Sequence, residues 1–196
     1  MIGEWIRRQT SGLFQDVARL VVRAGISANA VTLAGLAVTA AAAYLIALGR
    51  HPAAGAMLCL AGLLDGLDGS VARVAGEQSP FGAFWDSMVD RLSESVTFLG
   101  GLFYFMAVDS EMGIVVTFVA MVGSLMVSYA RARAEGLGLT MREGLLTRLE
   151  RVSVLVIGLL VGQLLVAVWI IALLSVFTVL QRTYLVWAGL HRPRPT

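Results

Sequence analysis

The sequence contains no lysine, a single cysteine and only two histidines, and charged residues make up 14% of its 196 positions. The lone cysteine, Cys59, excludes an intrachain disulfide. The net charge of +2 is too small to indicate a nucleic-acid partner. An ordinary soluble domain has about 25% charged residues, so the shortage of charge argues against a soluble fold.

Apolar residues are correspondingly abundant. They make up 58% of the chain, and the mean hydropathy is +0.80. A soluble protein of this composition could not cover its surface with polar groups, so the excess apolar area must face membrane lipid. Helices satisfy their own backbone hydrogen bonds inside a bilayer. We therefore predict an all-α, polytopic membrane protein.

Six segments are predicted to cross the membrane, since a bilayer core of about 30 Å requires about 20 apolar residues per helix. The first four are residues 30–48, 53–73, 81–108 and 113–134. The uncharged stretch 152–180 is too long for one span and too short for two. Two helices fit if the fifth begins near Leu145 and the chain turns near Gly162 and Gln163. A single long tilted helix is the alternative.

The basic residues predict the orientation of these spans. All of them are arginine, and a six-span topology places 14 of the 15 on one side of the membrane, with only Arg50 on the other. Because cytoplasmic loops are enriched in basic residues, the N-terminus is predicted to be cytoplasmic. The predicted location is the cell (plasma) membrane, with the active site facing the cytoplasm.

The first 24 residues have a different pattern, in which apolar residues recur near helical spacing with Arg7, Arg8, Arg19 and Arg23 between them. This pattern favours an amphipathic helix that lies in the membrane interface, and a cap packed on the helix bundle is the alternative. The predicted organisation is an interfacial amphipathic helix (1–24), a membrane domain of six transmembrane helices (25–190) and a C-terminal tail (191–196).

Four carboxylates occur inside the second and third predicted spans. Asp65 and Asp68 are three residues apart, and Asp86 and Asp90 are four apart, so each pair shares one helix face. The connection between the spans is short, which predicts antiparallel neighbouring helices whose carboxylates converge. An ionised carboxylate in the membrane costs at least about 2.5–3.5 kcal/mol, so this cluster requires positive charge.

Two divalent cations would supply that charge. Hard oxygen ligands favour Mg²⁺ or Mn²⁺ over Zn²⁺, and the two histidines lie outside the cluster. A pair of metal ions can stabilise the attacking and leaving oxygens of a phosphoryl transfer. The alternatives are a structural Asp–Arg network and the cation pathway of a divalent-cation transporter. A transporter of that kind predicts inverted repeats, and the sequence contains no internal repeat.

The spacing D-x2-D-G-x2-A-R-x8-G-x3-D-x3-D resembles the signature of the CDP-alcohol phosphotransferase family. Its eight positions are all present: Asp65, Asp68, Gly69, Ala72, Arg73, Gly82, Asp86 and Asp90. The resemblance implies a membrane enzyme of phospholipid biosynthesis that transfers a phosphatidyl-type group from a CDP-linked lipid to an alcohol and releases CMP. It also implies six spans and a homodimer.

The resemblance further implies roles for individual residues. The four signature aspartates, Asp65, Asp68, Asp86 and Asp90, would bind the two metal ions. Asp90 would also be the catalytic base that takes the hydroxyl proton of the acceptor. The nucleotide-binding residues would be Asn29, Thr32, Asp65, Gly69, Arg73 and Gly76, although Ala28 stands where the family's P-N-x-[VLI]-T element has proline. Attack on the β-phosphorus would then expel CMP.

Arginines near the ends of three later spans indicate the acceptor. Arg131, Arg151 and Arg182 are predicted to lie at the same side of the membrane as the aspartates. Arginine binds phosphate through two parallel hydrogen bonds. A small phosphorylated alcohol is therefore the predicted acceptor. The motifs are similar to the inositol-phosphate branch of the family, although Arg131 and Leu149 stand where that branch has lysine and proline. Phosphatidylglycerophosphate synthase, which uses glycerol 3-phosphate, is the alternative.

Overall fold

Seven helices make up most of the protein in a computed structural model that describes residues 2–140 and 147–191. They are α1 (Ile2–Arg23), α2 (Ala28–Ala47), α3 (His51–Ala75), α4 (Pro80–Ala107), α5 (Glu111–Gly136), α6 (Arg148–Leu160) and α7 (Leu164–His191). These two described ranges contain no strand, which confirms the all-α prediction. The side chains of residues 2–11 and of Leu13, the predicted span start at Leu145, and residues 192–196 of the predicted tail lie outside the described set.

Four helices of the described ranges, α2, α3, α5 and α7, are long and apolar enough to cross a membrane, so the chain is a membrane protein. The first half of α4 carries charged residues. Helix α6 has 13 residues, which extend roughly 20 Å at 1.5 Å per residue, less than a bilayer core of about 30 Å. The turn expected near Gly162 is present, since α6 ends at Leu160 and α7 begins at Leu164.

The connection between α3 and α4 is defined by local sequence signals. Helix α3 ends at Ala75, and Gly76 caps it with a positive φ of 68° that glycine adopts without steric cost. The Ser79 side chain accepts a hydrogen bond from the backbone N–H of Gly82, and Pro80 occupies the first turn of α4. As a result, the signature aspartates lie within a few turns of a short loop, on both sides of it.

Helix α2 lies at the centre of one part of the bundle, where it packs against both α3 and α4. Helices α3 and α4 are predicted to be antiparallel neighbours. Each of them packs most closely on α2, and their carboxylates converge at the site described below. Small residues allow the close approach of α4 to α2. A Cβ atom at Gly100 would lie 2.9 Å from the Cα atom of Ala43, so only glycine fits there.

The remaining helices complete an apolar core. Helix α5 packs on α4 and α7, and α6 packs on α3 and α7. Side chains from these helices and from α2 form one buried cluster that includes Ile46, Phe98, Leu159 and Ile171. This core holds the short helix α6 in place beside α3, which matters because two arginines of α6 contribute to the site described below.

The C-terminal part of α1 packs on the bundle. Ala18 is fully buried in a small cluster with Val31 of α2 and Val71 of α3, and the Phe14 ring lies against Gly66 of α3. The helix is therefore docked on the bundle along this part of its length. Its position in the membrane interface stays a prediction, since most of the apolar side chains that suggest it lie outside the described set.

Substituting Gly100 by alanine tests the packing of α4 on α2. The added Cβ would overlap the backbone of Ala43, and overpacking of this kind costs about 1–3 kcal/mol. We expect Gly100→Ala to lower the thermal unfolding midpoint of the purified protein in detergent. Gly62→Ala is the matched control, since a Cβ at Gly62 of α3 meets no atom within 4 Å. Equal unfolding midpoints for the two variants would contradict the packing described here.

Candidate active site

Three of the four signature aspartates converge in the structure. Asp65 of α3 and Asp86 and Asp90 of α4 each offer a carboxylate oxygen, and these oxygens lie within 4.8 Å of one another. We call these three residues the carboxylate cluster. The side chain of Asp90 is only 14% exposed, so water screens its charge poorly and the repulsion between the carboxylates must be balanced by nearby cations.

Asp68, the fourth signature aspartate, points toward α2 instead. Its Oδ2 accepts a hydrogen bond from the Thr32 hydroxyl (2.7 Å), and its Oδ1 accepts one from the backbone N–H of Gly69 (2.6 Å). Asp68 is almost fully buried. Two predicted site residues, Thr32 and Asp68, are therefore in direct contact, although they are far apart in sequence.

Arginine 148, at the start of α6, supplies positive charge to the carboxylate cluster. Its Nη1 atom lies 3.0 Å from Oδ2 of Asp65 and 2.9 Å from Oδ1 of Asp90. Arg91 adds a second contact, with its Nη1 atom 3.3 Å from Oδ2 of Asp90. The cluster is thus bridged by one arginine that joins α3 and α4 and is flanked by another.

A second ion pair lies beside the first along the same two helices. Arg151 of α6 pairs with Glu94 of α4 through two nitrogens, with Nε 2.6 Å from Oε1 and Nη2 3.1 Å from Oε2. Both side chains are buried, with 2% and 7% of their surface exposed. Because Arg148 and Arg151 share a face of α6 and Asp90 and Glu94 share a face of α4, the two ion pairs are successive links between these helices.

The N-terminus of α6 is fixed by its own sequence. Thr147 precedes the helix, and Glu150 accepts a hydrogen bond from the Thr147 backbone N–H (2.5 Å). This contact is one half of a capping box, which defines where a helix begins. The first turn of α6 therefore places Arg148 and Arg151 opposite the acidic residues of α4.

A cavity of about 370 Å³ opens beside the α3–α4 connection. We call it the loop cavity. Four of the predicted nucleotide-binding residues line it: Asn29, Thr32, Gly69 and Arg73. Asp68, Gly82 and Asp86 of the signature also line it. Gly76 is not among the lining residues but ends α3 next to the cavity, and Asp65 lines a different cavity.

The second cavity, of about 420 Å³, is lined by Arg131, Arg148 and Arg151, and we call it the arginine cavity. Glu94 and Ser93 of α4 also line it, as do apolar residues deeper in the bundle. Thr32 and Asp68 line both cavities. Since Asp65 lines the arginine cavity and Asp86 lines the loop cavity, the carboxylate cluster lies where the two cavities meet.

The three arginines predicted to bind an acceptor phosphate have different surroundings. Arg131 is exposed, pairs with Glu135 one turn along α5 (2.8 Å) and lines the arginine cavity. Arg151 lines the same cavity while it pairs with Glu94. Arg182 is buried, donates a hydrogen bond to the Val127 carbonyl (2.5 Å) and is not among the lining residues. The structure thus brings two of the three arginines to one cavity.

Two residues of the site, Arg148 and Glu94, are absent from the predicted set. Glu94 follows Asp90 by four residues, so it shares the helix face of the signature aspartates, and an ionisable residue inside a span is by default a functional candidate. Arg148 precedes Arg151 by three residues, just after a helix-start signal. These two spacings were available in the sequence and could have identified both residues.

The carboxylate cluster fits a divalent cation. It offers oxygen ligands from three aspartates, the type of ligand that Mg²⁺ and Mn²⁺ prefer. Its contact with Arg148 shows that these oxygens attract a cation in this structure. Asp65, Asp86 and Asp90 could therefore hold a metal ion at the junction of the two cavities.

Comparisons with known proteins agree with this arrangement. Residues 25–185 match the family model described as CDP-alcohol phosphatidyltransferase. The archaetidylinositol phosphate synthase of Pyrococcus horikoshii is 35% identical over 180 residues, which cover 91% of this chain and 93% of that relative. The phosphatidylinositol phosphate synthase of Mycolicibacterium smegmatis is 36% identical over 186 residues, which cover 89% of this chain and 83% of that relative.

Solved structures are similar over nearly the whole chain. The crystal structure of Mycobacterium tuberculosis phosphatidylinositol phosphate synthase with CDP-DAG bound matches with a TM-score of 0.84 at 31% identity, covering 93% of this chain and 98% of that chain. The same enzyme in complex with manganese and citrate matches with a TM-score of 0.83, also at 31% identity, covering 93% of each chain. The chain described here belongs to the CDP-alcohol phosphatidyltransferase family.

Proposed function

We propose that this membrane enzyme transfers a phosphatidyl-type group from a CDP-linked lipid to inositol phosphate and releases CMP. The observation that carries the proposal is the position of the carboxylate cluster between two cavities of different character. The loop cavity contains the signature glycines, and the arginine cavity contains three cationic side chains. A donor and a phosphorylated acceptor could therefore approach the cluster from different directions.

The loop cavity is the proposed site for the nucleotide of the donor. Gly69 and Gly82 lack side chains that would fill it, and Arg73 contributes positive charge close to a diphosphate. Asn29, Thr32 and Gly76 complete the proposed nucleotide site. A relative of known structure binds CDP-DAG, which supports a CDP-linked lipid as the donor for this chain.

The arginine cavity is the proposed site for the acceptor. Arg131 and Arg151 line it and would bind a phosphate group, with Arg182 buried nearby on α7 as a candidate third cation. Relatives named as synthases of phosphatidylinositol phosphate and archaetidylinositol phosphate favour inositol phosphate over glycerol 3-phosphate. Family membership also favours a transferase over a divalent-cation transporter.

Two divalent cations, Mg²⁺ or Mn²⁺, are the proposed cofactors, held by Asp65, Asp68, Asp86 and Asp90. Such ions would neutralise the charge of the diphosphate and of the leaving CMP. A related enzyme of known structure forms a complex with manganese. Asp68 lines both cavities and would join the other three by a change in its side-chain rotamer, at the expense of its contact with Thr32.

The protein residues have separate tasks in the proposed reaction. The arginines of the acceptor site hold the phosphate and thereby aim the hydroxyl group at the donor. Asp90, which is 14% exposed, accepts the hydroxyl proton as general base. The hydroxyl oxygen then forms a bond to the β-phosphorus of the donor, and the bond from that phosphorus to the bridging oxygen breaks, so that CMP leaves.

The proposed membrane arrangement places this chemistry at the cytoplasmic surface. In it, residues 25–190 form a domain of six spans built from α2 to α7, and the N-terminal segment 1–24, which contains α1, lies in contact with membrane lipid at the interface. Fourteen arginines on one side support a cytoplasmic active site in the plasma membrane. We propose a homodimer as the functional unit, by analogy with the family.

An acceptor panel tests the proposed function directly. The purified protein is incubated with CDP-diacylglycerol, Mn²⁺ or Mg²⁺ and one of four acceptors: inositol phosphate, glycerol 3-phosphate, inositol or serine. We expect CMP release with inositol phosphate and little with the unphosphorylated acceptors, because the arginine cavity is built for a phosphate group. Equal rates with inositol and inositol phosphate would contradict the proposed acceptor site, and no CMP with any acceptor would contradict the proposed reaction.

Replacing Asp90 by asparagine tests its role as base. Removal of a general base typically lowers a rate by about 10²–10⁴-fold, and we expect Asp90→Asn to lose CMP release to this extent while partly retaining the binding of Mn²⁺ and CDP-lipid. Asp109→Asn, in the exposed α4–α5 loop, is the control and should keep full activity. Full activity of Asp90→Asn would remove Asp90 as the base.

Arg131 offers a clean test of the acceptor site. A hydrogen bond to a charged group contributes about 1.5–3 kcal/mol, so Arg131→Gln should raise the KM for inositol phosphate by about 10- to 150-fold while leaving the KM for CDP-lipid nearly unchanged. Arg133→Gln is the matched control, since Arg133 is also exposed on the last turns of α5 but does not line the arginine cavity. Equal increases in both KM values would argue against the site.

The corresponding test at Arg151 must account for its partner. Removing Arg151 alone would leave Glu94 buried without its cation, which costs about 3–5 kcal/mol of stability. The double variant Arg151→Gln/Glu94→Gln removes both charges together. We expect this double variant to fold and to bind inositol phosphate more weakly, and a normal KM for inositol phosphate would exclude Arg151 from the acceptor site.

A further inference from the structure

Arg148 differs from its neighbour Arg151 in how it holds its carboxylates. Arg151 uses two nitrogens on one carboxylate and is 2% exposed. Arg148 meets two carboxylates through Nη1 alone and is 30% exposed. Its Nε atom is buried without a hydrogen-bond partner among the described residues. A two-nitrogen pairing fixes the guanidinium, whereas the single-nitrogen contact of Arg148 leaves it easier to displace.

The oxygens that Arg148 contacts are also those that would ligate a metal. Asp65 and Asp90 are two of the three members of the carboxylate cluster. A dication held by them would lie within a few ångströms of the Arg148 guanidinium, and two positive charges at that separation repel strongly in a poorly screened site. Helix α6 is packed on α3 and α7, so the side chain of Arg148 must move rather than the helix.

We propose that Arg148 and the divalent cation compete for the carboxylate cluster, so that Arg148 sets the affinity of the site for metal. This inference rests on the proposed metal-dependent function and adds a residue to it. Without metal, Arg148 neutralises part of the cluster and keeps α3, α4 and α6 together. When metal binds, the guanidinium turns into the arginine cavity, which it already lines beside Arg131 and Arg151, and becomes available to a phosphate group.

Mn²⁺ titration of the purified full-length protein in detergent, followed by the electron paramagnetic resonance signal of free Mn²⁺, tests the competition. If Arg148 occupies the cluster about nine-tenths of the time, its removal lowers the apparent Kd about tenfold. We expect this gain for Arg148→Gln, whereas Arg148→Lys, which keeps the charge, should stay within about threefold of the wild type. An unchanged or higher Kd in Arg148→Gln would overturn the proposal.

Arg91→Gln is the matched control for the loss of one positive charge. Arg91 is as exposed as Arg148 (35% against 30%), but it pairs with one member of the carboxylate cluster, Asp90, and its Nη1 atom also donates a hydrogen bond to the Ser87 carbonyl. Competition predicts a clearly larger gain for Arg148→Gln than for Arg91→Gln, and equal gains would reduce the effect to general electrostatics and overturn the proposal. Asp65→Asn distinguishes failure of the metal site from failure of the competition. If Asp65→Asn loses Mn²⁺ binding but Arg148→Gln shows no gain in affinity, the metal site is kept and the proposed role of Arg148 is rejected.

A measurement on the wild-type protein keeps the proposal testable if Arg148→Gln fails to fold. A small dicarbonyl reagent modifies free guanidinium groups, and mass spectrometry locates the modified arginines. We expect Arg148 to react faster with Mn²⁺ present than with a chelator, while Arg133, outside both cavities, reacts equally in the two conditions. Slower or unchanged modification of Arg148 with Mn²⁺ would overturn the proposal.

Discussion

Carboxylates gathered inside an apolar helix bundle persist only if positive charge lies among them. In this protein most of that charge comes from α6, whose first turn sends Arg148 and Arg151 toward the acidic face of α4, and Arg91 of α4 adds a further contact. The two ion pairs differ in character. The pair of Arg151 with Glu94 is closed and buried, whereas Arg148 shares a cluster of oxygens that also suits a hard dication. The first pair therefore holds α6 against α4, and the second leaves carboxylate oxygens that a metal ion could bind.

The arrangement of helices explains how two substrates could reach one cluster. Helix α2 packs against both α3 and α4, and the aspartates of α3 and α4 meet where the loop cavity and the arginine cavity join. Thr32 of α2 contacts Asp68 and lines both cavities. A transfer reaction needs donor and acceptor to meet at one point while each is held by its own residues, and this geometry meets that requirement.

The short helix α6 has a particular place in this design. A helix of 13 residues is poorly suited to span a bilayer alone, and its position depends on packing against α3 and α7. Helix α6 contributes to the site through the residue at which it begins. The capping contact of Glu150 with Thr147 fixes that start, so that the two arginines lie opposite Asp90 and Glu94. Local sequence and tertiary packing therefore act together in positioning the cations.

The sequence alone determined the helical class, the membrane setting and the approximate bounds of most helices, because long apolar runs are local signals. It also identified the signature aspartates, since their spacing places them on shared helix faces and their charge is costly in lipid. Glu94 continues the four-residue spacing of Asp86 and Asp90 along α4, but its role in the site became evident only from its pairing with Arg151 in the structure.

Only the tertiary structure decided which charges meet. No local signal brings α4 against α2, because that contact depends on the fit of Gly100 against the backbone of Ala43. Likewise, nothing near Arg148 in the sequence specifies Asp65 as its partner, and nothing near Arg182 turns it toward a backbone carbonyl rather than the arginine cavity. Contacts between residues far apart in sequence follow from how whole helices pack, and spacing along one helix does not contain that information.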